Sequence, residues 1–84
     1  VSETVHVEVL TKPGCHLCAE ALATTEAVCA EFGLSFTETT IEHDAALAAQ
    51  FAEEVPVLRI NGTIRDFWKF DPARLRRLLA EATA

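Results

Sequence analysis

The 84-residue chain reads as an α/β protein of order β-α-β-α-β-β-α, built on one four-stranded mixed sheet. Three observations predict this. Residues 5–11 and 34–41 have the alternation of strands and flank a helix-forming run free of Gly and Pro, a βαβ unit whose strands are parallel and whose crossover is right-handed. Asn61-Gly62 sits between two short β-rich runs and signals an antiparallel hairpin. Asp71-Pro72 then opens an amphipathic terminal helix.

Size and charge narrow the function classes. A chain this long makes one domain, 1–84, with one small core, and its 50% apolar content is enough to fill that core. The net charge of -6 argues against a nucleic-acid partner, because phosphate binding needs a basic face. No apolar run approaches the roughly 18 residues needed to span a bilayer, so no membrane partner is expected. Val1-Ser2-Glu3-Thr4 has neither the basic nor the apolar region of a secretory signal, and the missing initiator Met suggests a processed or trimmed N-terminus. Three cysteines are an odd count and suggest no framework of structural disulfides; one working pair and one spare thiol in a reducing, cytoplasmic compartment fit better.

Along the chain, Val5, Val7 and Val9 alternate with His6, Glu8 and Leu10, giving a first strand at residues 5–11 with one buried and one mixed face. His6 and Glu8 then belong to a half-covered sheet surface. Residues 15–32 are rich in Ala, Leu and Glu and predict a helix. At about 100° per residue, Leu17, Cys18, Ala21, Leu22, Thr25, Val28, Cys29 and Phe32 form one stripe, with Glu20, Glu26 and Glu31 outside it. Gly33 ends the helix. A second strand covers 34–41, and Asp44 caps a short helix at 45–52 with Leu47, Ala48 and Phe51 inward. His43 reads as a solvated loop residue. Pro56 opens the strand Val57–Ile60, and Thr63–Phe67 returns beside it. In the last helix Leu75, Leu78, Leu79 and Ala82 share a face opposite Arg74, Arg76 and Arg77, a solvated face or, alternatively, a docking patch.

The chemistry is concentrated in Lys12-Pro13-Gly14-Cys15-His16-Leu17-Cys18, where two cysteines stand three apart at a helix start. Unpaired N–H groups and the helix dipole there favour negative charge, so a thiol loses its proton more readily. The thiolate is the nucleophile of disulfide exchange, and a second sulfur one turn on can close a disulfide with the first. Cys15, at the helix start and the stripe's edge, is the accessible sulfur, whereas Cys18 lies within the stripe. Cys29 is roughly 16 Å further along the axis, too far to share a disulfide or a metal, and reads as a small core residue.

This order of elements, with Cys15-x-x-Cys18 at the first helix start and Val55-Pro56 before the hairpin, resembles the thioredoxin-fold superfamily and is most similar to a small glutaredoxin-like protein. The resemblance covers nearly the whole chain and implies a thioredoxin-like fold with helices on both faces of the sheet. It also implies that Pro56 is cis and lies beside the cysteines, and that the backbone before it, at Val55, pairs with a bound peptide or glutathione as an added strand. Lys12 matches the family's lysine three residues before the first cysteine, where a cation favours the thiolate and a substrate carboxylate; an exposed loop lysine is the plainer reading. Two departures stand out. His16-Leu17 replaces the Pro-Tyr of dithiol glutaredoxins, so His16 either tunes the thiolate or is a bystander. Phe67-Trp68-Lys69-Phe70 replaces the Gly-Gly pair whose backbone holds the glutathione carboxylate, so Trp68 and Phe70 form either an apolar wall for a protein partner or part of the core.

The expected function is thiol–disulfide oxidoreduction, with Cys15 as nucleophile, Cys18 as resolving thiol, and Lys12, His16, Val55 and Pro56 lining the substrate site. The substrate would be a disulfide-containing protein or a small thiol compound. No resident cofactor is expected, only an external reductant such as glutathione or a reductase. Two alternatives stay open: a binding module of the same fold without turnover, and a metal or iron–sulfur site. The latter needs more ligands than one Cys-x-x-Cys supplies.

Overall fold

A computed structural model describes residues 5–83. The leader-free reading of Val1 to Thr4 lies outside the described residues. The elements run β1 (Val7–Thr11), α1 (His16–Glu31), β2 (Phe36–Thr40), a 3-10 turn (Ile41–His43), α2 (Ala45–Phe51), β3 (Val57–Ile60), β4 (Thr63–Phe67) and α3 (Pro72–Thr83). The sheet order is β2-β1-β3-β4, with β1 parallel to β2 and antiparallel to β3, and β3 antiparallel to β4. Helices cover both faces, giving the α/β thioredoxin-like architecture that the element order implied.

Side-chain alternation divides the core into two clusters, one on each side of the sheet. Val7, Val9, Leu58 and Ile60 pack with Ala21, Val28 and Cys29 of α1 and Leu75, Leu78 and Leu79 of α3. Leu10 and Val57 face the other way, meeting Ile41, Phe51 of α2, Val55 and Cys18. The second cluster is the smaller because α2 has only seven residues. It is also the one that supports the cysteines.

Local chemistry fixes the element ends. The Asp44 carboxylate accepts hydrogen bonds from the N–H groups of Ala46 and Leu47 at 2.9 and 3.2 Å, capping α2. Asp71 accepts from the Ala73 N–H at 3.1 Å and so caps α3 ahead of Pro72. In the hairpin, Asn61 and Gly62 both take positive φ, 53° and 82°, the type I′ geometry that matches strand twist. Asn61 further anchors the start of β1: its side-chain oxygen accepts from the His6 N–H, and its own N–H donates to the His6 carbonyl. A register shift between Leu58 and Arg59 puts a bulge in the edge strand β4, a device that discourages edge-to-edge pairing.

Several details differ from the sequence expectation. Regular pairing of β1 begins at Val7 rather than 5, although Val5 is buried, and β2 begins at Phe36 and gives way to the 3-10 turn at Ile41. Leu17 leaves the buried stripe and is 42% exposed, whereas Cys18 in the same turn is buried against Leu10 and Val57. Phe70 is core, but Trp68 is 55% exposed. The arginine face of α3 is solvated as read, though Arg76 pairs with Glu31 of α1 through two hydrogen bonds of 2.9 and 3.0 Å.

The mixed face of β1 carries a polar ladder across three strands. Arg59 Nε and Thr39 Oγ1 each donate to the Glu8 carboxylate at 2.8 Å. Burial works against that carboxylate, yet the hydrogen bonds from Thr39 and Arg59, with the positive charge of Arg59, outweigh it and hold the carboxyl below its ordinary pKa. A carboxyl that binds its proton more weakly when folded adds stability above the unfolded pKa, and that stability is lost as pH falls through the lower folded value. Replacing Glu8 with Gln is therefore expected to cost about 1–3 kcal/mol at neutral pH. The cost should shrink in acid, as pH falls from the ordinary value of 4.5 through the lower folded value at which Glu8 itself is neutralised. Denaturant midpoints of both proteins from pH 7 to pH 3 check this, and a constant difference across that range would contradict it.

Candidate functional site

The site forms where β1 hands the chain to α1. Gly14 takes φ 76°, turning the backbone so that Cys15 becomes the N-cap of α1 in an extended conformation, φ −92° and ψ 109°. The Cys15 sulfur does the work that Ser or Asp does at other helix starts: Sγ accepts a hydrogen bond from the Cys18 N–H at 3.1 Å. An acceptor at a helix N-terminus meets unpaired N–H donors and the positive end of the dipole, so negative charge on this sulfur is stabilised. Cys15 and Cys18 stand at disulfide distance, their Cα atoms 5.3 Å apart. Their exposure is unequal: Cys15 is half-buried and Cys18 is 4% exposed. The outer sulfur can be approached and the inner one cannot.

The Val55–Pro56 peptide is cis; Val55 is buried in the cluster that holds Cys18, and Pro56 is fully buried next to it in the chain. Among the described residues, the Val55 N–H and C=O make no hydrogen bond to another backbone group, whereas the Pro56 carbonyl accepts from the Trp68 N–H at 2.8 Å.

Residues 6–80 match the family described as the glutaredoxin-like domain (DUF836). The chain belongs to this family. An uncharacterized protein of Mycobacterium tuberculosis is 32% identical to this glutaredoxin-like chain, over 92% of the chain and 84% of the relative. The crystal structure of a structural-genomics target protein from X. campestris shares 32% identity and superposes with a TM-score of 0.75, covering 89% of this chain and 96% of that one. Fasciola hepatica thioredoxin, at 16% identity, has a TM-score of 0.68 over 95% of this chain and 82% of its own, a likeness of fold alone.

The glutaredoxin-like chain gathers most of the residues its sequence singled out. Cys15, Cys18 and Val55 meet in the smaller core cluster, and Pro56 follows Val55 through the cis peptide. His16 is exposed as the first residue of α1. Lys12 is also exposed, but its Nζ donates to the carbonyl of Ala52 at 2.8 Å, tying the loop before the cysteines to the C-terminal end of α2. That carbonyl contact was not foreseeable, because it depends on how α2 closes over the sheet. Cys29 lies apart in the opposite core cluster, 1% exposed, and burial pushes its thiol up. Among the described residues no group of three His, Cys, Asp or Glu side chains is placed to hold a metal.

Sequence reasoning placed Leu17 in the buried stripe and left Trp68 between core and surface, yet both are exposed and meet at one depression. Leu17, Glu20, Ala21, Trp68, Lys69 and Phe70 line a shallow depression. Trp68 has φ 61°, a left-handed conformation that is a true outlier for so bulky a residue and costs of order 1–3 kcal/mol. The signal available in the sequence was placement: this is the sole tryptophan, set directly after a strand and before a buried Phe.

Unequal burial leads to a simple labelling expectation. In the reduced protein, iodoacetamide should modify Cys15 first, Cys18 more slowly, and Cys29 only as the protein unfolds. Peptide mass mapping over time follows all three, and Cys29 reacting as fast as Cys15 would contradict the burial order.

Proposed function

We propose that this protein is a thiol–disulfide oxidoreductase in which Cys15 is the nucleophile and Cys18 the resolving thiol. The observation that carries the reading is the Cys15 sulfur itself: reachable from solvent, set at a helix start, and receiving the Cys18 N–H beside a sheltered partner sulfur. The reduced protein begins with Cys15 as a thiolate. It attacks one sulfur of a substrate disulfide, a Cys15–substrate S–S bond forms as the substrate's S–S bond breaks, and the leaving thiolate takes up a proton. Cys18 then gives up its proton and attacks the Cys15 sulfur. The Cys15–Cys18 bond forms and the substrate departs as its second thiol. One substrate disulfide is reduced to two thiols, the protein dithiol is oxidised to a disulfide, and an external dithiol or two equivalents of a monothiol restore it.

In this reading Val55 offers its free N–H and C=O to an extended substrate segment, Pro56 holds that edge beside the sulfurs, and Lys12 and His16 add positive charge or hydrogen-bonding capacity near Cys15. No resident metal or organic cofactor takes part. The test is reduction of a generic protein disulfide with dithiothreitol or glutathione as the terminal reductant, followed as thiol release. Turnover above the uncatalysed rate supports the reading. Absence of turnover with both reductants contradicts it and leaves the groove as a binding surface only.

A further inference from the structure

We infer that Trp68 is a specificity-determining residue: it receives a large apolar side chain beside the disulfide cysteine of a polypeptide substrate, in preference to glutathione. This rests on the oxidoreductase reading for its reaction, though not for its binding. Three independent observations lead to it.

The first is conformational. Trp68 is held in the left-handed region with its side chain 55% exposed, so it gains neither backbone comfort nor burial. Two hydrogen bonds keep it there: its N–H donates to the Pro56 carbonyl at 2.8 Å and its Nε1–H to the Glu53 carbonyl at 3.2 Å. The indole is thus an exposed ring in a fixed orientation. A rigid aromatic surface binds apolar groups with little loss of side-chain freedom.

The second is position. Trp68 divides two depressions, the cleft with Leu17, Ala21 and Phe70 and a smaller one with Phe67 and Glu54. Leu17 lies between the two cysteines in sequence, and Trp68 bonds directly to Pro56, so an extended segment paired with Val55 passes beside the ring. Leu17, Phe67 and Trp68, three of the four large apolar side chains exposed among the described residues, therefore line these two depressions.

The third is charge. Glu20 and Glu54 line the two depressions against Lys69, on a chain of net charge -6. That setting disfavours a ligand with two carboxylates such as glutathione and suits a segment that pairs its apolar residue with a lysine or arginine.

The test uses short peptides and the sole tryptophan as the reporter. For turnover, disulfide-linked peptides carry Leu-Lys, Gly-Gly or Glu-Glu beside the cysteine, and oxidised glutathione is compared with them. The wild-type protein should favour the Leu-Lys peptide in kcat/KM by about tenfold or more over Gly-Gly and further over Glu-Glu and glutathione, mainly through KM. Trp68→Gly removes the ring and relieves the backbone, and it should collapse the ratio of Leu-Lys to Gly-Gly toward one. Trp68→Ala serves the same purpose if the glycine variant folds poorly. For binding, the same peptides with Ser in place of Cys are titrated into oxidised wild-type protein, with Trp68 emission as the readout. Saturable change with Leu-Lys at concentrations where Gly-Gly gives none supports the inference, even if no disulfide is turned over. Equal ratios in wild type and both variants, glutathione as the preferred substrate, or emission indifferent to every peptide would overturn it. Loss of turnover with all substrates, with the emission response intact, would instead overturn the catalytic reading alone.

Discussion

Replacing Cys15 with Ser is expected to reduce disulfide turnover to the uncatalysed rate. A hydroxyl at the N-cap keeps the hydrogen bond from the Cys18 N–H, so the helix start is preserved while the only approachable sulfur is removed. Loss of activity without loss of stability is the distinguishing signature, because a merely structural residue would lose both. Serine at Cys18 should behave differently. The first exchange survives, the mixed disulfide cannot be resolved internally, and the product is a stoichiometric adduct in place of turnover. Single-turnover kinetics and thermal midpoints of the two variants separate these outcomes. Full activity in the Cys15→Ser variant would place the chemistry elsewhere.

The largest expected effect on folding comes from Leu10→Ala. Leu10 is 0% exposed on β1 and packs with Cys18, Ile41, Phe51, Val55 and Val57, in the smaller of the two core clusters. Truncating a fully buried leucine costs about 2–5 kcal/mol through lost burial and the cavity left behind. That is a large share of the roughly 5–15 kcal/mol that stabilises a domain. The site should suffer with the fold, since Leu10 supports both the inner sulfur and the residues leading to Pro56. Chemical denaturation should show a lowered midpoint with an unchanged slope, and Cys18 should be alkylated faster. A shift below about 1 kcal/mol would mean that α2 settles into the gap.

Much of this fold is legible because its signals are local. The Asn61-Gly62 hairpin, the Asp44 and Asp71 caps and the Pro56 strand start each depend on a few adjacent residues, and strands β3 and β4 fall where the sequence places them. The sulfur pair is legible for the same reason, as is the burial of Cys29 in the helical stripe. What escapes is whatever depends on where one element ends above another. Leu17 has the periodicity of a core residue but is exposed. Trp68 and Phe70 are similar in size and hydrophobicity, yet a positive φ at Trp68 turns one outward and lets the other reach the core. Lys12 matches a family position by sequence, but its contact with Ala52 and the pairing of Glu8 with Arg59 join residues 40 and 51 apart and become visible only in three dimensions.

The most direct measurement of the central claim is the mass map of the Cys18→Ser variant after it has met a small disulfide such as dithionitrobenzoate under native conditions. One adduct per chain, on Cys15, is the predicted result. An adduct on Cys29, or an unmodified protein, would contradict the assignment of the reactive sulfur.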